Sequence, residues 1–128
     1  MNLRSSLRMA LGLGSAQHGT GHWWAQRITA ASLIPLGLWF SISVLGLPIA
    51  DYSAVRSWLA QPLNSILMIL LVVSVLHHSQ LGIQVVVEDY VHDDSLKFMT
   101  VIVSRFLHIA LAVAAIYALI SIFYGSAT

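Results

Sequence analysis

The sequence predicts an all-α integral membrane protein with three transmembrane helices running up, down and up, the N-terminus on the cytoplasmic side. Composition and the spacing of apolar runs carry that prediction. Of 128 residues, 58% are hydrophobic and only 9% charged, and mean hydropathy is +0.82. Ordinary soluble domains are about one-quarter charged. Three segments also reach the roughly 20 apolar residues needed to cross a hydrocarbon layer about 30 Å thick. They run from Ile28 to Pro48, from Leu63 to Val87 and from Met99 to Tyr124. A chain of this length has no room for a separate soluble catalytic domain.

Before the first span, residues 1–26 are expected to form a cytoplasmic tail, and residues 27–128 the three-helix membrane domain. Met1 to Gln17 contains Arg4, Arg8 and several serines but only a short, glycine-broken apolar stretch. That argues for an amphipathic surface segment over a secretory leader. Between spans one and two, Ala50 to Pro62 is polar and ends in a helix-starting proline; between two and three, Glu88 to Lys97 carries Glu88, Asp89, Asp93, Asp94 and Lys97. Arg4, Arg8, Arg27, Lys97 and Arg105 gather on one side and Arg56 alone on the other, so the positive-inside rule sets the orientation. The expected surroundings are membrane lipid, with no nucleic-acid partner.

Zero cysteines exclude a disulfide or a cysteine-ligated iron–sulfur cluster within the chain, and no nucleotide-binding glycine fingerprint is present. Redox chemistry would have to come from a cofactor or another chain.

The second span holds the chemistry. His78, Gly82, Val85 and Asp89 fall on one helical stripe, and Tyr90 follows. His78 lies eleven residues before Asp89, about 16 Å along the helix, near mid-membrane. An ionisable group at that depth must be paired, ligated or neutral, and that depth suits a haem edge or an ion path. Neutral imidazole is a good axial ligand for haem iron; a glycine one turn away removes the side chain that would strike a flat macrocycle. Close helix packing is the competing reading for Gly82. His22 and Arg27, at the mouth of the first helix, have the donor chemistry that anionic haem propionates need. Tyr90 can donate to a quinone carbonyl, with Asp89 orienting its surroundings or delivering protons. Trp23, Trp24 and Trp58 read as interfacial anchors. His77 points about 100° away from the His78 stripe. Arg105 and His108 share a face of the third helix and form a second rank of candidates.

His78-x-x-x-Gly82, then Gln84-Val-Val-Val-Glu-Asp-Tyr-Val91, with Arg27-Ile-Thr-Ala30 opening the first span, resembles the D-type hydrophobic membrane-anchor subunits of succinate dehydrogenase, respiratory complex II. The wording of Gly21 to Arg27 and of Val87 to His92 is most similar to alphaproteobacterial members. The resemblance implies a bundle formed with a C-type cytochrome b anchor subunit, each chain giving one histidine to a shared haem b, and docking of the iron–sulfur and flavoprotein subunits. Carried over, His78 is the axial ligand, Arg27 lies near a haem propionate, and Asp89 and Tyr90 belong to the ubiquinone site. The histidine upstream of Arg27 departs from the family spacing, so His22 and His18 share that role as candidates. Succinate oxidation would occur on another chain.

Two other classes compete: a self-contained small membrane cytochrome using His77, His78 and His108, and a haem-free transporter or assembly subunit in which His78 and Asp89 relay protons.

Overall fold

The computed structural model describes residues 16–125, with side chains from Thr20 onward. Most of the expected amphipathic tail, and the side chain of His18, lie outside the described residues. Four helices follow in order: α1 (Ala16–Leu45), α2 (Tyr52–Ala60), α3 (Pro62–Tyr90) and α4 (Asp94–Gly125). Three of them are long and apolar enough to cross a membrane, α1 over Thr20–Leu45 and α3 and α4 over their whole lengths. In hydrocarbon every backbone amide and carbonyl must be satisfied inside its own segment, and a continuous helix does this.

Several boundaries differ from expectation. Residues 17–26 are part of α1, so no break separates a tail from the first span. At its other end α1 stops at Leu45 rather than Pro48, because Gly46 and the residue before a proline both disfavour helix. The polar connection after it contains a full helix, α2. Asp51 caps it, its side chain accepting from the Ser53 amide at 2.9 Å and from the Ser53 hydroxyl at 2.8 Å. Those two bonds, the hydroxyl's first, hold the Asp51 carboxyl below its ordinary pKa. Pro62 opens α3 as expected. The second connection shrinks to residues 91–93, and α4 starts at Asp94, five residues before Met99.

Side-chain pairs give the packing order. Thr29 meets His78 and Ser32 meets Ser74, so α1 and α3 run antiparallel. His108 meets Ser79 while Leu119 and Phe123 share a cleft with Ser65, so α3 and α4 are antiparallel too. α3 packs on both neighbours, whereas the backbones of α1 and α4 do not come close among the described residues. The three spans therefore form an open layer centred on α3. At the end of the layer away from Tyr90, α2 bridges the others: Trp58 stacks on Trp39 of α1 with ring centroids 5.6 Å apart, and Arg56 donates to the Gly125 carbonyl at 2.8 Å, a cation at a helix C-terminus. Asn64 and Ser65, both buried, tie the start of α3 to the last turn of α2 by donating to the carbonyls of Trp58 and Leu59.

Little apolar surface is covered within the chain. Its buried hydrophobic residues, among those described, are Leu81, Val87 and Leu119. Ile34 is 74% exposed and Phe106 70%. Patches on this scale are intolerable in water and are the ordinary surface of a membrane protein that meets lipid and neighbouring chains.

Candidate functional site

Adjacent histidines on α3 face different neighbours. His78 faces α1, where its Nδ1 lies 3.1 Å from the Thr29 hydroxyl. One turn deeper, the Ser32 and Ser74 hydroxyls meet at 3.3 Å, so a short polar seam joins α1 to α3. His78 Nε2 has no hydrogen-bond partner among the described residues.

Gly82 lies one turn from His78 toward Tyr90. A Cβ added there would meet nothing within 4 Å. Packing within this chain therefore gives no reason for glycine at this position; any constraint must come from something seated against it. On α1, His22 is seven residues before Thr29, two turns along the same stripe and about 10 Å nearer the Tyr90 end. Its Nε2 is buried and lacks a hydrogen-bond partner among the described residues. Leaving a buried polar atom unpaired costs about 1–3 kcal/mol, so this nitrogen marks a place for an acceptor or donor beyond them. Arg27 is exposed, its guanidinium 5.0 Å from the centroid of the Trp23 ring, and it has no carboxylate partner among the described residues. The α1–α3 side thus offers an open imidazole nitrogen, a side-chain-free position beside it and an orphaned histidine nitrogen, while Arg27, two residues from Thr29, leaves α1 on another side. That donor set fits a flat, dianionic macrocycle with a metal at its centre.

Asp89 and Tyr90 end α3, both exposed, with Tyr90 77% accessible. The phenol and carboxylate are presented outward.

A cleft between α3 and α4 has a volume of about 300 Å³ and is lined by His77, Gln80, Arg105 and His108 among others. The expected shared face of Arg105 and His108 is present, although α4 begins earlier, which puts His108 fourteen residues into the helix, about 21 Å along it. His108 has both ring nitrogens engaged, Nδ1 2.7 Å from the Ser104 carbonyl and Nε2 3.3 Å from the Ser79 hydroxyl. His77 lies in this cleft, away from His78.

Sequence reasoning passed over Thr29, although it stands inside the Arg27-Ile-Thr-Ala30 segment. Its spacing of seven from His22, which puts both on one stripe, was the available signal. The run Gln80–Gln84–Glu88 was also passed over. Gln84 donates to Glu88 at 2.8 Å, and Gln80 reaches Gln84 at 3.4 Å, making a polar edge on α3 that no hydropathy average reveals.

Compared with known proteins, residues 1–120 match the family described as succinate dehydrogenase/fumarate reductase transmembrane subunit. The chain belongs to that family. Its relatives include the succinate dehydrogenase hydrophobic membrane anchor subunit of Rickettsia bellii (strain RML369-C), 33% identical over 123 residues covering 96% of each chain. That of Rickettsia conorii (strain ATCC VR-613 / Malish 7) is 30% identical, over 92% of this chain and 94% of the relative. The subunit of Paracoccus denitrificans bearing the same description is 30% identical over 88% of this chain and 86% of its own length. No solved structure matches. Family membership and the three apolar helices make the chain a multi-pass protein of the bacterial inner membrane.

Proposed function

We propose that this transmembrane subunit is the D-type anchor of a succinate:quinone oxidoreductase, that its α1–α3 side holds one face of a haem b, and that its Tyr90 end forms part of a ubiquinone site. The single observation that carries the haem assignment is the coincidence, along the α1–α3 pair, of a His78 Nε2 without a partner among the described residues, an empty flank at Gly82 and the orphaned Nε2 of His22.

In this reading His78 binds the iron through Nε2, Gly82 leaves room for the macrocycle, and His22 and Arg27 meet the propionates; His18, the other upstream candidate, is an alternative to His22. When bound, the haem supplies a one-electron carrier and a rigid plate between subunits. Among the described residues His78 is the histidine that combines a free Nε2 with an empty flank, so a second iron ligand would come from a partner, the C-type anchor chain. That requirement agrees with an open helix layer whose α1 and α4 do not close on each other. Iron–sulfur and flavoprotein subunits dock at the Tyr90 end, which the positive-inside rule assigns to the cytoplasm. There Tyr90 donates to a quinone carbonyl, and Asp89 holds or passes the proton that accompanies reduction. Dicarboxylate chemistry takes place on the flavoprotein.

The self-contained cytochrome is disfavoured because His108 already spends both ring nitrogens on Ser104 and Ser79, and His77 shares no cleft with His78. Affinity purification of the complex from native membrane tests the proposal. Flavoprotein and iron–sulfur subunits should copurify with a reduced b-type optical spectrum. Recovery of the chain without either would overturn it.

A further inference from the structure

The direction of the Thr29–His78 hydrogen bond follows from what else Thr29 touches. A threonine hydroxyl has one proton to give. Its Oγ1 lies 2.9 Å from the Ala25 carbonyl oxygen and 3.0 Å from that of Gln26, both nearer than the ring at 3.1 Å. Carbonyls only accept, and back-bonding of this kind is the habitual arrangement of threonine in a helix. The proton of Thr29 is therefore committed to its own helix, and what Oγ1 turns toward His78 is a lone pair. Nδ1 of His78 must then be the donor. A neutral imidazole that carries its proton on Nδ1 has its free pair on Nε2.

We propose that Thr29 is a positioning residue: it locks His78 in the Nδ1–H tautomer, aims Nε2 outward as the metal donor, and by accepting from Nδ1 makes the ring more basic. The inference rests on the reading of His78 as the axial ligand. A metal-bound histidine is oriented and tuned by the acceptor on its other nitrogen, and a more basic ring favours ferric over ferrous iron. Losing the acceptor should raise the midpoint potential. The Ser32–Ser74 contact, one turn away, joins the same two helices without touching the ring, so it provides a control for simple helix docking.

The experiment uses the whole complex purified from native membrane, carrying Thr29→Val, Thr29→Ser, Ser32→Ala or His78→Leu. Haem content, low-spin electron paramagnetic resonance and the redox midpoint are read for each. Thr29→Val should shift the ferric-over-ferrous preference several-fold, up to tenfold, which for a one-electron couple is about 59 mV upward. Thr29→Ser should restore the wild-type potential, and Ser32→Ala should leave it unmoved. Absence of haem in Thr29→Val, with full haem in both Thr29→Ser and Ser32→Ala, supports the proposal equally. An unchanged potential and resonance in Thr29→Val, or equal haem loss in Thr29→Val and Ser32→Ala, overturns it and leaves Thr29 as helix packing. The two readings fail separately: full haem in His78→Leu removes the ligand assignment, whereas haem loss there beside an unaltered Thr29→Val removes only the tautomer argument.

Discussion

His77 and His78 are consecutive in the chain yet face different neighbours of α3: His78 meets Thr29 of α1, and His77 lines the cavity that holds Arg105 and His108 of α4. Consecutive residues on a helix diverge by about 100°, and because α3 is packed on both sides that angle separates two environments. Substituting each in turn should therefore give different outcomes. His78→Leu is expected to leave haem far below one per complex, and His77→Leu to leave it near wild type. Reduced-minus-oxidised optical spectra measure both, and equal losses would show that the wrong histidine has been assigned.

Gly82 separates packing within the chain from packing against a guest. A Cβ there meets nothing within 4 Å, so Gly82→Ala should insert and assemble normally. Gly82→Leu should insert as well but lower haem content, since the longer side chain projects where the macrocycle would lie. Full haem in the leucine variant would count against a macrocycle at this face.

For His22 the orphaned Nε2 makes opposite predictions for two roles. If nothing from outside pairs with it, His22→Leu removes a buried unsatisfied nitrogen and is neutral or stabilising by about 1 kcal/mol. If a propionate pairs with it, the same change loosens haem and lowers its retention. Thermal release of haem from detergent-solubilised complex, followed optically, decides between them.

Tyr90→Phe keeps the ring and removes one hydroxyl. A net hydrogen bond of roughly 0.5–1.5 kcal/mol corresponds to about a two- to tenfold fall in succinate–quinone activity. Electron transfer from succinate to a soluble artificial acceptor at the flavin should persist. Asp89→Asn should act in the same direction. Unaltered quinone reduction in both variants, with the complex intact, would return the pair to the role of interfacial anchors.

Asp51 gives a pH prediction outside the membrane. The Ser53 hydroxyl and amide lower its pKa, so its capping contribution is fully present above the ordinary aspartate value of about 3.9. It is lost as pH falls through the lowered value. Protease access to residues 50–62 should therefore rise in strong acid and stay flat from pH 5 to 8. Asp51→Ala should show the higher access at every pH.

Much of this was legible in the sequence. Length and apolar runs predicted three spans because transfer into hydrocarbon depends on composition summed over about 20 residues. The stripe of His78, Gly82, Val85 and Asp89 was equally readable, since helical periodicity alone places side chains on a face. Helix α2 was missed because a nine-residue helix held by one aspartate cap and by docking against its neighbours leaves no hydropathy signal. Only the tertiary structure decided which neighbour each face of α3 meets. Periodicity gives the angle between His77 and His78, but not that Thr29 lies across from one and His108 from the cleft of the other. Nor does it reveal that Nε2 of His22 is buried without a partner, or that α1 and α4 stay apart. Those facts depend on contacts between residues dozens of positions apart, set by how three apolar rods pack, and lipid solvates most of their faces alike.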